Sequence, residues 1–175
     1  LHKRYRRIYW FTQLTLLGML FSFPFQGYAL FSIIFSTLFL IASYWFFWFF
    51  RNNTRTEDKE KFSFKFINMS LWFMVISSIG PWALGAIMNT LGATSIWYRL
   101  AIYFYLHFQY NGWMIFSILG IFLYILEQRD IYIPKGKLST IFRLLSGGII
   151  ASFFLSTLFA KPNIIINFIF YKYLF

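Results

Sequence analysis

The hydrophobic positions of this chain fall into long blocks separated by short polar stretches. The blocks run over about 8–23, 28–50, 66–88, 98–126 and 139–160, and a sixth begins near Asn163 and is cut short at Phe175. Roughly 20 apolar residues in a helix cross a bilayer. The pattern therefore predicts an all-α protein: a polytopic transmembrane helical bundle of five full spans plus a truncated sixth, in one domain over 1–175. The first block is short, carries Thr12, Gln13 and Thr15 near its start, and is expected to end at Pro24.

Basic residues alternate from one connection to the next. Lys3, Arg4, Arg6 and Arg7 precede the first block, and Phe25–Gly27 carries none. Arg51, Arg55, Lys59, Lys61 and Lys65 follow the second block, and Asn89–Trp97 again carries none, with Arg99 just inside block four. Arg129, Lys135 and Lys137 follow the fourth block, and Lys161 follows the fifth. Lys and Arg concentrate in cytoplasmic loops. This pattern predicts that the first residue and the 51–65 and 127–138 loops face the cytoplasm. The triplets beginning at Asn52 and Asn68 then lie on or near the cytoplasmic side and read as chance matches to a glycosylation signal.

Composition agrees with this reading. The chain is 59% hydrophobic and 26% aromatic, and 12% charged, where a soluble domain averages about 25% charged. The net charge of +11 sits in short flanks between apolar blocks, which argues against nucleic-acid binding. There is no cysteine, which excludes disulfides, thiolate metal sites and a cysteine nucleophile. All five acidic residues, Glu57, Asp58, Glu60, Glu127 and Asp130, lie between blocks. No carboxylate enters a span, which weighs against an intramembrane proton relay or cation path. With Leu1 at one end and an interrupted apolar block at the other, the chain reads as a fragment. Its expected partners are the lipid bilayer and either the remainder of its own chain or another membrane subunit.

Small residues suggest where helices meet, since lipid-immersed helices associate by close packing. Gly148, Ser152, Ser156 and Ala160 form one stripe in block five, and Ala29, Ser32, Ser36 and Ser43 a similar one in block two. Pro81 lies inside block three. It lacks an N–H and its ring opposes the carbonyl of Ser77, which predicts a kink.

The candidate chemistry centres on His107, in the run Tyr103-Phe104-Tyr105-Leu106-His107-Phe108-Gln109-Tyr110-Asn111-Gly112-Trp113. Intramembrane polar clusters are costly and so mark candidate sites. Blocks three and four run in opposite directions, and at 1.5 Å per residue the Pro81 kink and His107 share a depth of roughly 10–12 Å from the outer boundary. Projected at about 100° per residue, Tyr103, His107, Tyr110, Asn111 and Met114 share one face, and Tyr105, Gln109 and Gly112 the opposite one. Block four should therefore have neighbours on two sides. Three roles suit His107. It can pin helices by hydrogen bonding to Asn111, a tyrosine hydroxyl or the Ser77 carbonyl. It can be an axial heme ligand or bind another metal, since neutral imidazole suits iron and copper. Or it can belong to a ligand site with the neighbouring Tyr, Gln and Asn groups. No Ser-His-Asp set, phosphate loop or His-Glu metal motif accompanies it, and no catalytic residue is assigned.

The stretch Ser77-Ser78-Ile79-Gly80-Pro81, with Leu84-Gly85 and the run Tyr103–Trp113, resembles a group of polytopic bacterial membrane proteins distantly similar to subunit I of the heme–copper oxidases and nitric oxide reductases. His107-Phe108-Gln109-Tyr110 is similar to the His-Phe-His-Tyr of a heme-ligating oxidase helix. The resemblance implies heme as cofactor with His107 as the first ligand. Gln109 stands where that helix has its second histidine.

Overall fold

A computed structural model describes residues 2–27, 29–131 and 133–157. It is 89% helical without strands among these residues, and five of its helical stretches are long and apolar enough to cross a membrane. The sixth block, from Asn163, lies outside the described residues. The chain divides into two compact units, Leu1–Phe64 and Lys65–Phe175.

The first unit is a helical hairpin of α1 (His2–Gln26) and α2 (Leu30–Asn53), followed by the single turn α3 (Thr56–Lys59). The residues that α1 buries, Ile8, Thr15 and Ser22, recur every seven positions. Ala42 and Phe49 of α2 keep the same interval. A seven-residue repeat holds one seam toward a partner helix. Gly18 lies on that seam, where a Cβ would run into the Phe35 ring. The buried hydroxyls of Thr15 and Ser22 donate to carbonyls of their own helix, Thr12 at 2.8 Å and Met19 at 3.4 Å. They therefore place little unsatisfied polarity in an apolar seam.

Contrary to the expected stop at Pro24, α1 continues through that proline to Gln26. Spanning helices tolerate an interior proline because neighbouring groups and small adjustments of the helix satisfy the freed carbonyl. The turn closes instead at Gly27, whose φ of 59° needs no Cβ and whose N–H donates to the Phe23 carbonyl at 2.9 Å.

The second unit holds the other three spans. Span three is α4 (Phe62–Ser77, in this unit from Lys65) and α5 (Ile79–Thr90), which meet at a break at Ser78. Span four is α6 (Ile96–His107), a π-helical segment (Phe108–Met114) and α7 (Ile115–Gln128). Span five is α8 (Lys135–Ser156). The break at Ser78 comes three residues before Pro81, as its missing donor requires. Ser95 caps α6 by accepting from the Tyr98 N–H at 3.2 Å.

Spans three and four approach through glycines. A Cβ on Gly80 would lie 2.6 Å from that of Tyr105, one on Gly112 2.5 Å from the Phe73 ring, and one on Gly120 2.6 Å from Ile67. Small residues let helix backbones close in where lipid supplies no hydrophobic drive. Around these contacts sit Phe66, Phe73 and Phe116, almost fully buried. Phe66 and Phe116 each meet Phe142 of α8 edge-on.

Within the small-residue stripe of span five, Gly148 and Ser152 do not pack against the described residues. A Cβ on Gly148 would meet nothing within 4 Å among the described residues, and Ser152 is exposed. The side chain of Ser156 and all of Ala160 lie outside the described residues. Span five instead sets Phe142 against Phe66 and Phe116 and Phe153 against Phe108, with Leu138 and Ile149 buried on the same face. In span two the corresponding stripe is buried at Ser32 and only half-buried at Ser36 and Ser43.

Candidate functional site

Span four has neighbours on two sides. Its Tyr105–Gln109–Gly112 face meets span three, and its His107–Asn111 face meets span five. His107 is 7% exposed. Its Nε2–H donates to the carbonyl of Ile149 in α8 at 2.9 Å, and the Asn111 amide donates to its Nδ1 at 3.3 Å. A carbonyl can only accept, so Nε2 carries the proton and Nδ1 holds the lone pair. The pair is internally consistent for a neutral imidazole and leaves neither ring nitrogen unbonded. Tyr103, Phe108 and Phe153 enclose the ring at centroid distances of 5.9, 5.3 and 5.6 Å.

On the other face, the hydroxyl of Ser77 lies 2.7 Å from the Gln109 side-chain oxygen and 2.8 Å from the carbonyl of Met74. It shares its proton between a neighbour on another span and its own helix. Ser77 stands beside the break in span three, and Gln109 stands in the π segment of span four. Two interruptions of regular helix are thus tied by one hydrogen bond. Ser77 opposite Gln109, and Gly80 opposite Tyr105, bracket the level of His107, but on the far side of span four from Ile149. Pro81 is half-buried in the first turn of α5, three residues past the break. The partner of His107 is a span-five carbonyl and not that of Ser77, because His107 faces away from span three.

Tyr110 departs from the expected cluster. It is 57% exposed, because it falls inside the π segment. There i→i+5 hydrogen bonding widens the turn, so a residue three positions on trails farther from the His107 face. Asn111, four positions on, still lies over His107. Met114, expected on the same face, is likewise exposed.

The donor set does not suit axial ligation of a heme as it stands. Iron requires an unshared imidazole lone pair. Here Nε2 is protonated and bonded to Ile149, and Nδ1 accepts from Asn111. Gln109, at the position of a second ligand, is on the opposite face. Among the described residues no three His, Cys, Asp or Glu side chains converge as metal ligands. What the arrangement does chemically is join span four to span five through His107 and to span three through Gln109. Comparison of the chain with protein-family models, with curated proteins and with solved structures finds no match.

Proposed function

We propose that this chain is a multi-pass bacterial inner-membrane protein, first residue cytoplasmic, that acts as a non-enzymatic structural or transporter-like subunit whose intramembrane polar residues fasten its spans. One observation carries the reading: both ring nitrogens of His107 are bonded to protein groups, one of them a backbone carbonyl of another span. Individual interhelical hydrogen bonds in bilayers contribute about 0.6 kcal/mol on average and up to about 1.7. Two such contacts, on opposite faces of span four, hold a three-span unit in register. The basic loops on alternate connections support the orientation.

The competing reading is a heme–copper-oxidase-like protein in which His107 binds heme. It requires the imidazole to release Ile149 or Asn111. Purification of the full chain from cells supplied with heme decides between them. The structural reading expects no Soret band and a lower melting temperature for His107→Phe. A Soret band that His107→Ala shifts or abolishes would replace it with the heme reading.

A further inference from the structure

Span five carries a cation in an unexpected place. Arg143 lies eight residues into α8 (Lys135–Ser156), about 12 Å along its axis, well past the start of the apolar stretch. It is exposed. At 100° per residue it shares a face with Gly136, Thr140 and Gly147, about 110° round the helix from the centre of the Leu138, Phe142, Ile149 and Phe153 face that packs on spans three and four. The guanidinium therefore lies off the packed face of the three-span unit, exposed among the described residues, where a membrane-embedded chain offers it to lipid.

A cation there is expensive unless paired, and the chain has no carboxylate in any span. Its Nε–H donates to the Ser139 carbonyl one turn back, at 3.4 Å. The side chain thus runs toward the N-terminal end of the helix, the direction in which a long cationic side chain reaches the interface. Lys135 and Lys137 stand at that end, both exposed. The surface beside Arg143 is flat, because Cβ atoms on Gly136 and Gly147 would meet nothing within 4 Å among the described residues.

We propose that Arg143, with Lys135 and Lys137, forms a binding site for the phosphate of an anionic glycerophospholipid, in the leaflet on the side of the basic 127–138 loop. The lipid's headgroup would take the guanidinium as a bidentate partner, and its acyl chain would lie along the flat Gly147 surface. This rests on the membrane reading above.

Native mass spectrometry of the detergent-purified full chain tests it, with phosphatidylglycerol and phosphatidylcholine of matched acyl chains as probes. The wild type should retain phosphatidylglycerol in preference. Arg143→Gln should weaken that retention about fivefold, and Arg143→Lys should weaken it less. Equal retention by wild type and Arg143→Gln, with unchanged helical circular dichroism, overturns the proposal. So does an absence of preference between the two lipids. Displacement of phosphatidylglycerol by millimolar inorganic phosphate would also overturn it, since the site would then take the free anion. Alkaline carbonate extraction separates the two readings. A chain released by carbonate sinks the membrane reading and this one together, whereas a chain that stays in the membrane but lacks the lipid preference sinks this one alone.

Discussion

Asn111 sits one turn beyond His107 and donates to its Nδ1 at 3.3 Å, a contact that fits the same tautomer the Ile149 carbonyl demands. The two contacts hold the Nε2–H form from both sides of the ring. Replacing Asn111 by Leu removes the donor, so the ring is free to populate the Nδ1–H tautomer, which cannot donate to Ile149 in the same pose. The ring ¹⁵N shifts of selectively labelled protein should move from a single Nε2–H pattern toward a mixture. An unchanged pattern would show that Ile149 alone sets the tautomer.

Gly112 is expected to be intolerant of a side chain. The Cβ of Gly112→Ala would lie 2.5–2.8 Å from Phe73 atoms that include its Cβ, so relief requires movement of the helix. Overpacking of this kind costs about 1–3 kcal/mol. Gly147→Ala, in open space, should leave stability unchanged or slightly raised. Thermal melts of the two variants in one detergent compare them directly.

Ser77 and Gln109 should couple energetically. In a double-mutant cycle of Ser77→Ala and Gln109→Leu, the interaction term should be about 0.6 kcal/mol, within the range measured between bilayer helices. A term of zero would mean that Ser77 is satisfied by Met74 alone.

The connections between spans give a test of orientation. Cysteines introduced at Thr56 and Thr94 in this cysteine-free chain should react with a membrane-impermeant maleimide from opposite sides of sealed vesicles. Labelling of both from one side would refute the alternation of basic loops as a guide.

Outside the spans, Lys61 donates to Asp58 at 2.6 Å. That hydrogen bond, with the charges of Lys61 and Arg55, holds the Asp58 carboxyl below the usual carboxylate range. A depressed carboxylate contributes stability above its unfolded value and loses it as pH falls through the folded value. The pair is exposed, so the effect is small and local. An NMR titration of Asp58 should shift upward in Lys61→Ala.

Much of this arrangement is legible in the residues. The five described spans follow from block length, and the two faces of span four from a 100° projection that holds through His107. Tyr105 meets span three from regular α6, and Gln109 and Gly112 keep to that face although both stand in the π segment. The projection fails at Tyr110, where backbone pairing changes to i→i+5 with no local residue demanding it. Ile149 could not be found as the partner of His107, because a backbone acceptor leaves no trace in residue type. Gly148 misled for a different reason: a small-residue stripe marks a possible contact, and the aromatic core claimed the other face of span five. Arg143 is a charge inside the fifth apolar block, an exception to the gathering of basic residues in the flanks.

The π segment has a consequence for how this chain tolerates changes of length. A turn closed by i→i+5 bonds accommodates one more residue than an α turn, so Phe108–Met114 holds a surplus position. Removing the exposed Tyr110 should let the turn close as ordinary α-helix while Phe116, Gly120 and Leu123 keep facing their neighbours. One residue removed from within α7 has no such slack and would rotate everything beyond it. Span four therefore absorbs a deletion at one place and is rigid in register elsewhere.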